Sequence, residues 1–240
     1  MPAAPSHPVP RAVGAVAWAG GAVFAAALAA YAWFFVVALA RPDVPGWPLA
    51  LAVAWNVVIF GAFASHHSVM ARSGAKAWIT RVVPRALERS IYVWTASLLL
   101  LAVFTLWAHV AGAVYTLPRP LAWLGVAAQA AGVWLTLRAA GVIAPLELAG
   151  IRQVYGDLRP AAFKVVGPFR WVRHPIYLGW VLIVFGTPLM TVDRLVWAVV
   201  STAYLVIAIP FEERSLIEAF GKDYRAYQAR VRWRLIPGVW

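Results

Sequence analysis

Long apolar runs separated by short cationic segments dominate this chain, and a water-facing fold has no place for them. The runs Ala12–Ala40, Trp47–Ala64, Ile91–Ala113 and Leu121–Ile143 each meet the requirement of about 20 mostly apolar residues for a spanning helix. Two shorter runs follow, Ile176–Val192 and Leu195–Phe211, with only Asp193 and Arg194 between them. That spacing predicts a tight helical hairpin. Of the 240 residues, 63% are hydrophobic and 12% charged, whereas a soluble domain carries about 45–50% apolar and about 25% charged residues. The expected fold is therefore an all-α, polytopic membrane helical bundle of about six spans. It should carry a C-terminal helical hairpin and a cytoplasmic amphipathic helix. The first run is too long for a signal-peptide core and is read as a retained helix.

The charge distribution orients these spans. The net charge of +12 could suggest nucleic acid, but Lys and Arg are confined to the connections between runs, which is the mark of membrane topology. On a six-span layout, 17 of the 21 Lys and Arg fall on one side. The other side receives only Arg41, Arg119 and Arg194, while Arg138 stays within the fourth span. Both termini are thus expected in the cytoplasm. Three polar segments, 65–90, 144–175 and 212–240, would meet on that face and handle any water-soluble ligand. In the last of them Leu216, Ile217 and Phe220 recur at helical spacing, and Gly221 stands where a C-cap would fall.

No cysteine is present, which excludes disulfides, thiolate metal sites and a cysteine nucleophile. Two constellations carry chemical potential. The first is Gly167-Pro-Phe-Arg-Trp-Val-Arg-His-Pro-Ile-Tyr-Leu-Gly179, where Pro175 restricts Arg173 and His174 and can start the next helix. Interfacial anchoring by a snorkelling Arg is the plainer reading of that run. The second is Glu212-Glu213, part of a group of four among the nine acidic residues, within 212–223. Paired carboxylates next to lipid need a cation; it could come from Arg170, Arg173 or Arg214, or from a positively charged ligand. The hairpin returns residue 212 to the face that holds residue 174.

Taken together, Arg173-His-Pro-Ile-Tyr-Leu-Gly179, Glu212-Glu-Arg-Ser-Leu216, Phe220-Gly-Lys-Asp-Tyr-Arg-Ala-Tyr227 and Val231-Arg-Trp-Arg-Leu-Ile-Pro237 resemble the isoprenylcysteine carboxyl methyltransferase and phospholipid methyltransferase superfamily. Three upstream pieces, His67-Ser-Val-Met-Ala-Arg72, Val83-Pro-Arg-Ala-Leu-Glu-Arg-Ser90 and Leu146-Glu-Leu-Ala-Gly-Ile-Arg-Gln153, resemble its methanethiol S-methyltransferase branch. The resemblance implies one membrane domain over 1–240, with a four-span N-terminal part (1–143) and a cofactor-binding catalytic part (144–240). It implies S-adenosyl-L-methionine as cofactor and a small thiol such as methanethiol as partner; no nucleic acid is expected from the confinement of Lys and Arg to the connections, and no metal from the missing cysteines and the spacing of the histidines. Carried over by position, the donor-binding residues are Phe163, Gly167, Phe169, His174, Pro175, Tyr177 and Glu212, to which Gln153 and Glu213 are added. His174, Arg173, Arg152 and His67 are the candidates for substrate-side and catalytic roles.

This chain departs from the isoprenylcysteine enzymes in having Ala208 where they place an Arg for the substrate carboxylate, and Ala161 and Phe169 where they have His and Tyr. Carboxyl methylation is correspondingly disfavoured. A lipid acceptor, a nicotinamide-dependent sterol-type reductase and a transporter are the competing readings. For a thiol acceptor, a base or a positive field helps, because a thiol of pKa about 8.5 or higher is mostly protonated at neutral pH. His174 is the first choice for that help, with Arg152 and Gln153 able to polarise the substrate. The tandem pair His66-His67 suits substrate handling or a structural role and is poorly spaced for a metal. His109 is expected at an interface, and Gln129 and Arg138 as helix-packing or pore-facing polar groups, with Arg138 able to snorkel to the cytoplasm.

Overall fold

The computed structural model describes residues 9–70, 72–143, 145–155 and 163–240; Ala161 falls outside them. In chain order the elements are α1 (Arg11–Trp33, continued by a π-turn over Phe34–Ala38), α2 (Leu49–Met70), α3 (Ser73–Ile79), a 3-10 turn (Arg85–Leu87), α4 (Glu88–Thr105) and β1 (Ala113–Thr116). There follow α5 (Arg119–Ile143), α6 (Pro145–Leu148), α7 (Arg152–Tyr155), a 3-10 turn (Gly167–Arg170), α8 (Pro175–Phe185), β2 (Leu189–Thr191), α9 (Val192–Phe220) and α10 (Lys222–Arg230). Among the described residues, five helices are long and apolar enough to cross a membrane: Arg11–Ala38, Leu49–Met70, Arg85–Thr105, Arg119–Val142 and Val192–Phe220. The sixth, α8, is apolar but has only 11 residues. The chain is an all-α, polytopic integral membrane protein.

Its contacts divide it into two units, one of Met1–Val36, Ala54–Trp107 and Ile143–Ala161, the other of Val37–Val53, Ala108–Val142 and Ala162–Trp240. In the first unit α1 lies on α4. Small residues make this approach possible, since interhelical packing in lipid relies on close backbones and van der Waals contact. A Cβ on Gly20 would stand 2.7 Å from the Trp94 ring, whose Nε1 donates to the Val16 carbonyl at 3.0 Å. Gly14 takes Tyr155 in the same way. Phe34 stacks on Phe104 with ring centroids 4.8 Å apart. The Ser90 hydroxyl donates to the Gly150 carbonyl at 2.6 Å, tying the start of α4 to the α6–α7 turn.

In the second unit α5 packs on α8 through glycines, with a Cβ on Gly132 falling 2.6 Å from the Gly179 carbonyl oxygen. Gln129 Nε2 donates to the Ile183 carbonyl at 3.0 Å, which agrees with its expected packing role. Two sequence expectations are corrected in this unit. Asp193 and Arg194 are not the turn between the hairpin helices α8 and α9, which residues 186–191 make, but lie in the first turn of α9. Instead β1 and β2 pair antiparallel, Thr116 opposite Leu189 and Ala113 opposite Thr191, and the two charges are buried beneath that ribbon. Asp193 is fully buried, accepting from the Val110 amide at 2.8 Å and from His109 Nδ1 at 2.6 Å. Arg194 donates to Thr187 Oγ1 and to the Leu189 carbonyl at 2.9 and 2.8 Å. Each charge is stable there because it is hydrogen-bonded; alone in an apolar interior it would cost several kcal/mol.

The second correction concerns the C-terminal segment. The last span and the amphipathic stretch through Phe220 form one 29-residue helix that passes through Pro210. It stops at Gly221, whose φ of +53° is accessible to glycine at little cost, and α10 then leaves in a new direction. Glu212 and Glu213 are therefore mid-helix residues.

Candidate functional site

Pro175 opens α8 with His174 as its N-cap residue, so the Arg-His pair sits just outside the helix. The amides of Arg173 and His174 donate to the carbonyls of Trp233 and Arg234, both at 2.9 Å. The Arg-Trp-Arg run near the C-terminus is thus stitched alongside the motif. Consecutive residues on a helix point about 100° apart, and this separates the two acids of α9. Glu213 turns inward and is 3% exposed. Glu212 turns outward, with 44% of its side chain accessible.

Glu213 is the centre of a saturated network. Its Oε1 accepts from Arg173 Nε at 2.6 Å and from His174 Nε2 at 3.3 Å, and its Oε2 from Gln228 Nε2 and Arg234 Nε, both at 3.3 Å. Arg173 spends its Nη1 on the carbonyls of Val231 and Arg232, both at 2.9 Å. The network clamps α9, α10, the motif and the C-terminal run together.

Glu212 is the open edge of the same region. The Tyr177 hydroxyl donates to its Oε2 at 2.7 Å, and His174 Nδ1 is 3.6 Å from that oxygen. The imidazole and phenol rings stack, with centroids 5.4 Å apart and planes 15° apart. His174 therefore has a carboxylate at each ring nitrogen. Beneath, Phe163 packs on Phe220, Tyr224 and Tyr227. Tyr227 donates to the Phe169 carbonyl at 2.8 Å, so Phe169 contributes its backbone at a position where its side chain departs from the pattern. Gly167 has a φ of +57° and starts the 3-10 turn that carries Phe169.

Tyr224 is 1% exposed, yet its hydroxyl has no hydrogen-bond partner. Burial pushes its pKa up, aided by the Glu213 carboxylate, and burial does the same to Tyr227; both phenols stay protonated. An open cleft of about 410 Å³ adjoins the network, lined by Glu213, Arg214, Glu218, Arg225, Gln228 and Arg234 among others.

Comparison with known proteins adds what geometry does not. The family model described as phospholipid methyltransferase matches residues 121–223. A methanethiol S-methyltransferase of Mycobacterium tuberculosis is 40% identical over 198 residues, covering 77% of this chain and 78% of the relative. The chain belongs to the methanethiol S-methyltransferase family. Proteins of that name from Crocosphaera subtropica and Pseudomonas deceptionensis are 37% and 39% identical, each over 80% of this chain and over 77% and 75% of their own lengths. No solved structure matches. The protein is a membrane methyltransferase.

The methyltransferase gathers Phe163, Gly167, Phe169, Arg173, His174, Pro175, Tyr177, Glu212 and Glu213 into its second unit. His67, Arg152 and Gln153 belong to the first. There His67 Nδ1 is 2.9 Å from the Tyr92 hydroxyl, and Arg152, its side chain 63% exposed, pairs with Glu147 at 3.5 Å. Sequence reasoning missed Gln228 and Arg234 as partners of Glu213, although Arg234 lies in the closing Arg-Trp-Arg run. It also missed Tyr224, whose only signal was its place in Phe-Gly-Lys-Asp-Tyr. No group of His, Asp and Glu among the described residues could hold a metal.

Proposed function

We propose that this methyltransferase moves a methyl group from S-adenosyl-L-methionine to methanethiol, releasing dimethyl sulfide. The observation that carries the reading is the accessible Glu212 carboxylate, held by Tyr177 and His174 beside a network that is otherwise saturated. The site suits this donor on two grounds from the molecule itself. A carboxylate reachable from solvent complements a cationic ligand, and the unpaired Tyr224 hydroxyl leaves one buried polar group in need of a partner. The donor, when bound, supplies an electrophilic methyl group on a positively charged sulfur.

The chain's own residues then have distinct tasks. Glu212 meets positive charge, and the stacked Tyr177 and His174 rings form a wall for the ligand. Arg173 and Glu213 fix the position of that wall and of the backbone from Gly167 to Pro175. His174 is assigned to positioning, since each ring nitrogen faces a carboxylate. Displacement at a methyl carbon demands mainly alignment of the two sulfurs and exclusion of water, so a rigid clamp is the appropriate contribution. The one-sided distribution of Lys and Arg supports cytoplasmic termini and a donor taken from the cytoplasm. Purified protein in detergent, supplied with methyl-labelled S-adenosyl-L-methionine and methanethiol, should release labelled dimethyl sulfide into the headspace. Folded protein that binds the donor and yields no such product overturns the proposal.

A further inference from the structure

The stretch that leads from α2 to α4 in the first unit is strongly basic. Residues 72–89 carry Arg72, Lys76, Arg81, Arg85 and Arg89 against one acid, Glu88. Among the described residues, Lys76, Arg81 and Arg85 enter no ion pair. Apolar side chains stand between these cations: Trp78 is 64% and Val82 79% exposed, while the buried Ile79 and Leu87 hold the stretch to its unit. Cations interleaved with open Trp and Val suit a surface that lies on a bilayer. The flanking helices set its depth. With 22 residues, α2 rises about 33 Å against a hydrocarbon core of about 30 Å. Its last turns, with His66 and His67, therefore reach the headgroup boundary, beside the first turn of α4 with Arg89.

At those helix ends a cluster is left incomplete. Tyr92, 7% exposed, has its hydroxyl 2.9 Å from His67 Nδ1, the His66 ring nearly parallel to its own at 6.5 Å between centroids, and the Arg89 guanidinium carbon 5.1 Å from its ring centre. Unlike the Glu213 network, this cluster is unsaturated. His66 Nδ1 and Arg89 Nε are buried atoms with no hydrogen-bond partner, although buried polar atoms are nearly always paired. A guanidinium is a donor only, and an imidazole with its proton on Nδ1 donates there. What both lack is an acceptor, and the Arg89 charge calls for an anionic one. A phosphate oxygen meets that demand, and basic pockets at helix ends are where phosphate-bearing lipid headgroups are held. Val69 on α2 and Leu98 on α4 are exposed, apolar and suited to acyl chains.

We propose that the Tyr92 cluster and the basic stretch 72–89 form a binding site for an anionic phospholipid of the surrounding bilayer. Arg89 and His66 hold its phosphate, and Lys76, Arg81 and Arg85 draw it in by charge. Trp78 and Val82 enter the interfacial layer beside it. His67, engaged by the Tyr92 hydroxyl, is a positioning residue for the ring on which Arg89 and His66 rest. The lipid stays chemically unchanged. It supplies the missing acceptor and ties the end of α2 to the start of α4, so every part of the site lies within the first unit and none depends on the methyl transfer.

The test offers the full-length protein, in neutral detergent, equal amounts of dioleoyl phosphatidylglycerol and dioleoyl phosphatidylcholine. Bound lipid is read by native mass spectrometry and the unfolding midpoint by circular dichroism. Wild type should retain phosphatidylglycerol over phosphatidylcholine by about tenfold or more, and its midpoint should rise with that lipid alone. Arg89→Gln should lower retention about tenfold and abolish the rise, and Arg89→Lys should restore part of both. His66→Phe keeps the ring, removes the donor and should cost about fivefold. The combined Lys76→Gln, Arg81→Gln and Arg85→Gln protein should fold as wild type and lose about fivefold for each charge, a loss that added salt imposes on wild type as well. The combined variant and His66→Phe decide the matter even where Arg89→Gln fails to fold. Equal retention of the two lipids, variants that bind as wild type does, or displacement of the lipid by inorganic phosphate alone would overturn the site. Each of these results leaves the methyltransferase function standing.

Discussion

The Glu213 network and the Tyr92 cluster are both groups of charged and aromatic side chains in a largely apolar chain, yet they differ in saturation. Glu213 accepts four hydrogen bonds, and Arg173 donates three. Around Tyr92, His66 Nδ1 and Arg89 Nε have none. A fully satisfied buried network stiffens a fold, while an unsatisfied one carries a standing cost. The contrast separates side chains that hold the protein together from side chains that are exposed to a ligand's chemistry. Glu212 and Tyr224 mark the border between these roles within the second unit.

The sharpest way to break the comparison is to remove the charge at the centre of the network. Glu213→Gln leaves Arg173 buried without its counter-ion and should destabilise the protein by about 3–5 kcal/mol, read as a lowered midpoint in thermal unfolding. A stable variant with normal donor affinity would show that the network is not a clamp. Glu212→Gln addresses the open edge. It should leave the unfolding midpoint unchanged and weaken S-adenosyl-L-methionine binding about tenfold, or roughly 1.4 kcal/mol, within the range for a hydrogen bond to a charged group. Equal losses of affinity in the two variants, at equal stability, would erase the proposed division of labour.

Tyr224→Phe removes only an unpaired hydroxyl. The folded protein should lose no stability, while donor affinity should fall by a smaller factor, about threefold, in an isothermal titration. The smallest effect concerns alkali. The pKa of both Tyr224 and Tyr227 is raised by burial, so the neutral phenols belong to the folded state and ionisation favours unfolding. Their stabilisation is complete below about pH 10, the unfolded value for tyrosine, and declines above it. The unfolding midpoint should fall more steeply above pH 10 in wild type than in Tyr224→Phe. Identical slopes would mean that the phenol is already ionised or hydrated in the fold.

Much of this protein was legible in its residues, for a definite reason. Lipid permits few backbone solutions, so run length and the placement of Lys and Arg are enough to read an all-helical membrane chain. Order and spacing in Arg173-His-Pro-Ile-Tyr and Glu212-Glu were enough to pick out both ends of the candidate site. Other features were hidden because they depend on distant partners. The β1–β2 ribbon joins residues 113–116 to 189–191, and nothing local to either strand announces the other. Asp193 and Arg194, adjacent between two apolar runs, read as the turn of a hairpin, whereas His109, Val110 and Thr187 hold them by hydrogen bonds within the fold.

By itself the sequence determined the solvent and the helical class, because these follow from composition and run length, and by resemblance it gave the family and a short list of candidate residues. Tertiary structure decided which of two neighbouring glutamates faces inward, which partners Arg173 and Glu213 take, and that His66, His67 and Arg89 gather at Tyr92. Those outcomes turn on helix phase and on contacts between segments far apart in the chain. A hydrogen bond is made or missed over about 1 Å, a distance that no residue pattern along a single segment can specify.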